Sequence, residues 1–114
     1  MSFITLIDGI LDMNDISYLR EARQYAKAHG YNPELLTFSA KKLKKLNYDG
    51  IDFGGALNND YISYKFFEKS GIIPKGEAKK HRNAYLKRSS QIHGDWKHNP
   101  LSKNNLARRI LWNE

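Results

Sequence analysis

The sequence predicts a small single α+β domain in which about three helices pack on a short antiparallel β-hairpin. Three observations favour this class: two segments with helical spacing of apolar residues, one turn sequence typical of hairpins, and a globular composition. The chain has 114 residues, of which 40% are hydrophobic and 27% charged. Globular domains average roughly 45–50% and 25%, so we expect residues 16–114 to fold as one domain. Residues 1–15 are predicted to form an N-terminal arm or a short strand.

The first helix is predicted over residues 16–29. Side chains spaced three or four positions apart there are expected to face the core: Ile16, Leu19, Ala22 or Arg23, and Ala26. Asp15 precedes this stripe as an N-cap, and Gly30 follows it as a C-cap. Tyr18 and Tyr25 are expected to lie at the side of the helix.

The middle of the chain carries a hairpin signal. Asp49-Gly50 tolerates positive φ at both central positions of a type I′ turn, so residues 47–48 and 51–53 are predicted to pair as strands. Pro33 is expected to begin a short helical turn that directs Leu35 and Leu36 to the core. A two-stranded ribbon needs a covering element. Four aromatic residues are expected to provide it: Tyr61, Tyr64, Phe66 and Phe67.

Two further helices are predicted in the C-terminal part. The first runs from about residue 74 to 90, with Glu77 near the positive end of the helix dipole. Its inner stripe is thin: Ala78, His81 or Arg82, Tyr85 and Ser89, backed by Leu86. Ser102 is predicted to cap the last helix, and Trp112 is expected to be packed. One face of this helix is expected to be apolar: Leu106, Ile110 and Leu111.

Positive charge is concentrated towards the end of the chain. The whole sequence holds 19 Lys and Arg against 12 Asp and Glu, a formal net charge of +7. Residues 70–114 hold ten bases and three acids, and 10 − 3 gives +7 for this part alone. Such asymmetry is typical of a domain that presents one face to a polyanion. The alternative is a solvated basic surface that binds nothing.

The basic helix with its interleaved tyrosine is the main candidate site. Lys and Arg on one helical face neutralise neighbouring phosphates, and a tyrosine hydrogen-bonds a phosphate or stacks on an unpaired base. We therefore predict nine nucleic-acid-binding residues: Lys75, Lys79, Lys80, Arg82, Tyr85, Lys87, Arg88, Arg108 and Arg109. For Tyr85, simple packing of the helix is an equal alternative. Arg108 and Arg109 are also explained by the dipole at the end of a helix.

Enzymatic chemistry receives little support from the sequence. The absence of cysteine excludes disulfides, thiolate metal sites and cysteine nucleophiles. His81, His93 and His98 with Asp95 are of metal-binding type, but their spacing matches no compact ligand motif. We therefore predict no catalytic residues, no metal and no cofactor. A metal-dependent nuclease that uses His98 is retained as the second alternative.

The sequence also bears on location. No apolar run approaches the ~20 residues that span a bilayer, and residues 1–15 hold three aspartates without a basic leader. We therefore expect a protein that is neither secreted nor bound to a membrane.

Residues 22–114 resemble a family of small basic proteins of unknown function from large double-stranded DNA viruses and tailed phages. The most specific shared pieces are Phe53-Gly54, Tyr85-x2-Arg88 and Leu111-Trp112. Family members carry an Arg-His pair where this chain has Arg88-Ser89. The resemblance implies a virus-encoded protein, a candidate for packaging in the virion, and implies no reaction.

Together, these observations predict a viral protein that binds nucleic acid without sequence specificity and is packaged with the genome. DNA is favoured over RNA as the partner. The first alternative is a structural virion protein, a minor capsid or cement component that binds acidic virion proteins. The expected location is the virion or the interior of the host cell, in its cytoplasm or nucleus.

Overall fold

Residues 15–114 form four helices and a three-stranded antiparallel sheet. These residues are the part of the chain that this structure, a computed structural model, describes. The elements are α1 (Asp15–Ala28), β1 (Leu36–Phe38), β2 (Lys44–Tyr48), β3 (Ile51–Gly55), α2 (Tyr61–Lys69), α3 (Glu77–Ser89) and α4 (Lys103–Leu106), which continues as a π-helical turn (Ala107–Leu111). The predicted α+β class is confirmed, with one more helix and one more strand than expected. The arm predicted over residues 1–15 lies outside the described residues, except that α1 begins at Asp15.

Helix α1 buries Ala22 and Ala26 as predicted, but two tyrosines join this stripe and Ile16 lies outside it. Tyr18, Ala22, Tyr25 and Ala26 are the buried residues, whereas Ile16 is 69% exposed. The prediction that the tyrosines lie at the side was therefore wrong. Both rings enter the core because their hydroxyl groups find partners there: Tyr18 donates to the Asp60 carboxylate, and Tyr25 accepts from Lys65 at 2.8 Å.

The hairpin forms as predicted. Asp49 has φ 49° and Gly50 has φ 90°, and Tyr48 pairs with Ile51 across the turn. The left-handed backbone of a type I′ turn explains why Asp-Gly stands here. Strand β1 was not predicted; it pairs antiparallel with β2, and three residues are too short to show an alternating pattern. Leu36 on β1 is fully buried as expected, but Leu35 is 40% exposed.

Helix α2 was expected only as an aromatic cover. Asp60 begins it with a capping box, in which its carboxylate accepts from the Ser63 amide and the Ser63 hydroxyl accepts from the Asp60 amide. The end of α2 also positions the next helix. The Glu68 carboxylate accepts hydrogen bonds from the amides of Gly76 and Ala78, both at 3.0 Å, and so caps the start of α3.

The last helix packs against the hairpin and α1. Ser102 accepts from the Asn105 amide as its N-cap, which confirms the predicted start. Trp112 is only 7% exposed, so the prediction that it is packed is also confirmed. The backbone of β3 lies close to α4 at Gly54, where a Cβ would be 2.8 Å from Leu111 Cδ1. The predicted apolar face of α4 is buried: Leu106, Ile110 and Leu111.

Candidate nucleic-acid interface

The outer side of α3 carries three exposed lysines. Successive residues of an α-helix are about 100° apart, so Lys79, Lys80 and Lys87 fall within an arc of about 100°. All three are exposed, and the polar Asn83 lies between them. Lys80 Nζ is 3.3 Å from Glu77 Oε1, but the lysine side chain is 78% exposed, so this ion pair is well screened by water. This arrangement defines the outer face of α3.

Three of the predicted cations point into the protein instead. Arg82 donates to the carbonyls of Trp112 at 3.0 Å and Asn113 at 2.7 Å. Arg108 is 7% exposed and donates to the Leu86 carbonyl, the Ser89 hydroxyl and the Glu114 carboxylate. Arg109 donates to the Tyr31 hydroxyl at 3.1 Å. Arg82 and Arg108 therefore join α3, α4 and residues 112–114, whereas Arg109 joins the end of α4 to the segment after α1.

The six remaining predicted residues lie on or beside α3. Lys75 is exposed just before the helix begins, and Arg88 is exposed near its end. The Arg88 guanidinium lies 5.7 Å from the centre of the Tyr85 ring, in cation–π contact. Tyr85 is half-buried, so the structure gives it a packing role and leaves part of the residue accessible. The nine predicted residues are therefore not brought together on one face.

A cavity of about 480 Å³ opens beside Arg88. It lies between the end of β3, the loop that leads to α2, the side of α3 and the segment after α4. Two pairs of parallel rings line it. Tyr85 stacks on Trp112 with ring centres 4.3 Å apart at 7°, and His81 stacks on Tyr64 with centres 3.9 Å apart at 4°. We call this space the aromatic cavity.

A buried ion pair forms the floor of the aromatic cavity. Lys45 Nζ lies 2.7 Å from Asp60 Oδ2, and each side chain is 1% exposed. Tyr18 donates to the same carboxylate oxygen. Burial, and then the neighbouring Asp60 charge, raise the pKa of the Tyr18 phenol well above its ordinary value. The hydroxyl therefore stays neutral and donates its proton to Asp60.

Sequence analysis did not identify these floor residues. Asp60-x-x-Ser63 is a pattern typical of a helix N-cap, and this signal could have placed Asp60 at the start of α2. Nothing separates Lys45 from the neighbouring lysines Lys41, Lys42 and Lys44 in the sequence. Its pairing across 15 positions is a property of the folded chain.

The histidines are dispersed. His81 is in the ring stack with Tyr64, and His98 Nε2 is 4.0 Å from Asp95 Oδ1 on an exposed loop. His93 is exposed on the same loop. Within residues 15–114 no group of three or more histidine and acidic side chains is placed to hold a metal ion.

A second groove, of about 440 Å³, lies along α1. Ile16, Leu19 and Pro33 supply its apolar part. Positively charged groups of the same helix edge it: Arg20, Arg23 and Lys27. The sequence prediction assigned Ile16 to the core and so missed this surface, whereas Leu19 does pack against the core as predicted.

Comparison of the chain with family models, curated proteins and solved structures finds no match. Among the helices of residues 15–114, none has the length and apolar character needed to cross a membrane.

Proposed function

We propose that the protein binds nucleic acid without sequence specificity through the outer face of α3. The observation that carries this proposal is the set of exposed cations on and beside that helix. Lys80 and Lys87 are seven residues apart on the same side, which is about 10 Å along the helix axis, so they reach separate phosphates. Lys75 and Lys79 extend the positive surface towards the start of the helix.

The absence of sequence preference follows from the residue types. Lysine is a flexible, strongly hydrated point charge, and contacts of this kind go to phosphates, which carry no sequence information. We therefore expect similar affinities for unrelated sequences of equal length and a steep loss of affinity with salt. DNA remains the favoured partner, and titration of matched DNA and RNA duplexes compares the two.

The experiment compares two double variants with the same net charge. Lys80→Glu/Lys87→Glu reverses the outer face of α3, whereas Lys27→Glu/Lys42→Glu reverses two exposed lysines on α1 and in the β1–β2 loop. Each pair changes the formal charge from +7 to +3, since 7 − 4 = 3. Fluorescence anisotropy with a labelled duplex should show at least a tenfold loss for the α3 pair and a much smaller loss for the control. Equal losses would mean that total charge, and not this face, sets the affinity.

The resemblance to small viral proteins supports a further part of the proposal, namely packaging with the genome in the virion. The second candidate function is a structural virion component that binds acidic protein surfaces. The groove on α1 favours it, because exposed Ile16 and half-buried Leu19 stand beside Arg20 and Lys27 and so suit an acidic, amphipathic segment of another protein. Copy number in purified particles, and location with the genome or with the shell, distinguish the two functions.

A further inference from the structure

We propose that the aromatic cavity binds one unpaired nucleotide, with its phosphate on Arg88 and its base against the aromatic rings. This inference rests on the proposed function, because it names the form of nucleic acid that the protein holds most closely. The ligand is either a nucleotide of a single strand or a free mononucleotide, which share the same chemistry.

Arg88 supplies the anion-binding group. Within residues 15–114 its guanidinium makes no ion pair and no hydrogen bond, and only the Tyr85 ring holds it in place. The five donors of the guanidinium are therefore free, and their planar geometry matches a phosphate. Among the described lining residues, Lys45 and Asp60 carry opposite charges on the cavity floor, so Arg88 leaves these side chains with a net charge of +1.

Asn58 also lines the cavity, in the loop between β3 and α2. Its amide packs over the backbone of β3, where a Cβ on Gly55 would lie only 2.6 Å from Asn58 Nδ2. In the described part of the chain the side-chain amide of Asn58 makes no hydrogen bond, and the residue is exposed. A free carboxamide both donates and accepts, as the edge of a base requires.

The rings provide the stacking surface. His81 lies with one face on Tyr64, yet the residue remains exposed, so its ring is accessible to a ligand. Tyr85 is supported from behind by Trp112. Because each ring is held by another, the site is already formed before a base enters, and stacking accepts any base. The volume of about 480 Å³ also lies within the usual range of ligand pockets, roughly 300–1,000 Å³.

Only an unpaired base can enter such a site, because bases in a duplex are stacked and paired. We therefore expect the protein to bind a single-stranded oligonucleotide more tightly than the duplex of the same length. An abasic strand keeps all its phosphates but lacks bases. It should bind at least tenfold more weakly than the intact strand, because each stacked base contributes about 1–3 kcal/mol.

The test uses deoxyadenosine monophosphate, deoxyadenosine and inorganic phosphate as separate probes. Calorimetry should show saturable binding of the mononucleotide and much weaker binding of either part alone. In the Trp96→Phe chain Trp112 is the remaining tryptophan, and the mononucleotide should quench its fluorescence, which locates the ligand. Arg88→Gln should weaken binding at least tenfold, while Lys42→Gln, which removes the same charge from the exposed β1–β2 loop, should leave it unchanged. No saturable binding, or equal binding by Arg88→Gln, would overturn the inference.

The two proposals fail differently. If the abasic strand binds as tightly as the intact strand while Lys80→Glu/Lys87→Glu still abolishes binding, the cavity is not used and the outer face of α3 is. If the mononucleotide binds through Arg88 but long strands do not bind, the α3 surface is wrong and the cavity stands as a mononucleotide site.

Discussion

Replacing Lys45 by methionine removes one partner of a fully buried ion pair. Lys45 Nζ and Asp60 Oδ2 are 2.7 Å apart, and both side chains are 1% exposed. Without the ammonium group, the carboxylate keeps hydrogen bonds from Tyr18 and Ser63 but loses its counter-charge. Breaking a buried pair in this way typically costs about 3–5 kcal/mol. Since domains of this size are stable by about 5–15 kcal/mol, we expect Lys45→Met to lose a large part of the free energy of unfolding.

A matched control and a double variant separate the effect of the buried pair from the loss of a single lysine. Lys80→Met deletes the same group from an exposed pair with Glu77, so it should cost about 0–1 kcal/mol. Asp60→Asn keeps a side-chain oxygen for the α2 cap but removes the buried carboxylate charge that faces the Lys45 ammonium group. Lys45→Met/Asp60→Asn removes both buried charges. We therefore expect it to cost less than the sum of the two single changes.

Urea denaturation followed by circular dichroism gives the change in the free energy of unfolding for each of the four variants. For a domain near 100 residues, each kcal/mol lowers Tm by about 4–8 °C, so Lys45→Met should melt at least about 12 °C lower. The stabilising role of the buried pair is refuted if Lys45→Met lowers the free energy of unfolding no more than Lys80→Met does. It is also refuted if the double variant costs the full sum, because the two charges would then act independently.

Three further predictions concern the stability of the folded chain. Arg108→Met should cost at least about 2 kcal/mol, measured by urea denaturation, because it removes charged hydrogen bonds to a carbonyl, a hydroxyl and Glu114. Gly50→Ala should cost about 1–2 kcal/mol and Gly50→Asn less, since no atom crowds this site and only its φ of 90° resists a side chain. Burial and Asp60 raise the pKa of Tyr18 above its ordinary 10.0, so the unfolded chain ionises first and stability should fall as pH rises above that value. Tyr18→Phe should lose stability less steeply over this alkaline range, and an equally steep loss would contradict the assignment.

Local signals in the sequence were reliable where one residue type decides the backbone. Asp49-Gly50 indicated its turn because few pairs adopt positive φ twice, and Ser102 indicated a helix start because its hydroxyl satisfies a free amide. The buried stripe of α1 was predicted only in part, because no single residue type decides which side of a helix is buried. Ile16 is more hydrophobic than Tyr18, but a tyrosine with a partner for its hydroxyl buries a larger ring. That partner is Asp60, which is 42 residues away, so no local pattern contains it.

The candidate site shows the same limit. The sequence indicated α3 and its lysines, because an excess of positive charge on a helix with a narrow apolar stripe can be read from the sequence alone. It did not indicate the aromatic cavity, because Asn58, His81 and Trp112 lie on three separate segments that only the fold brings together. The long-range contact between Gly54 and Leu111 closes β3 onto α4 and so sets the width of this space.

The division of the cations between surface and interior has a measurable consequence for nucleic-acid binding. Arg82 and Arg108 turn inwards because a planar guanidinium satisfies several acceptors at once, whereas an ammonium group is better hydrated by water. Arg109 is held by the Tyr31 hydroxyl. Five of the eight predicted cations then remain for phosphates: Lys75, Lys79, Lys80, Lys87 and Arg88. On a duplex, five contacts give a slope of log affinity against log salt of about −4.5, whereas all eight would give about −7. A measured slope of about −7 would mean that the three arginines leave their internal hydrogen-bond acceptors when nucleic acid binds. The fold would then rearrange around the nucleic acid.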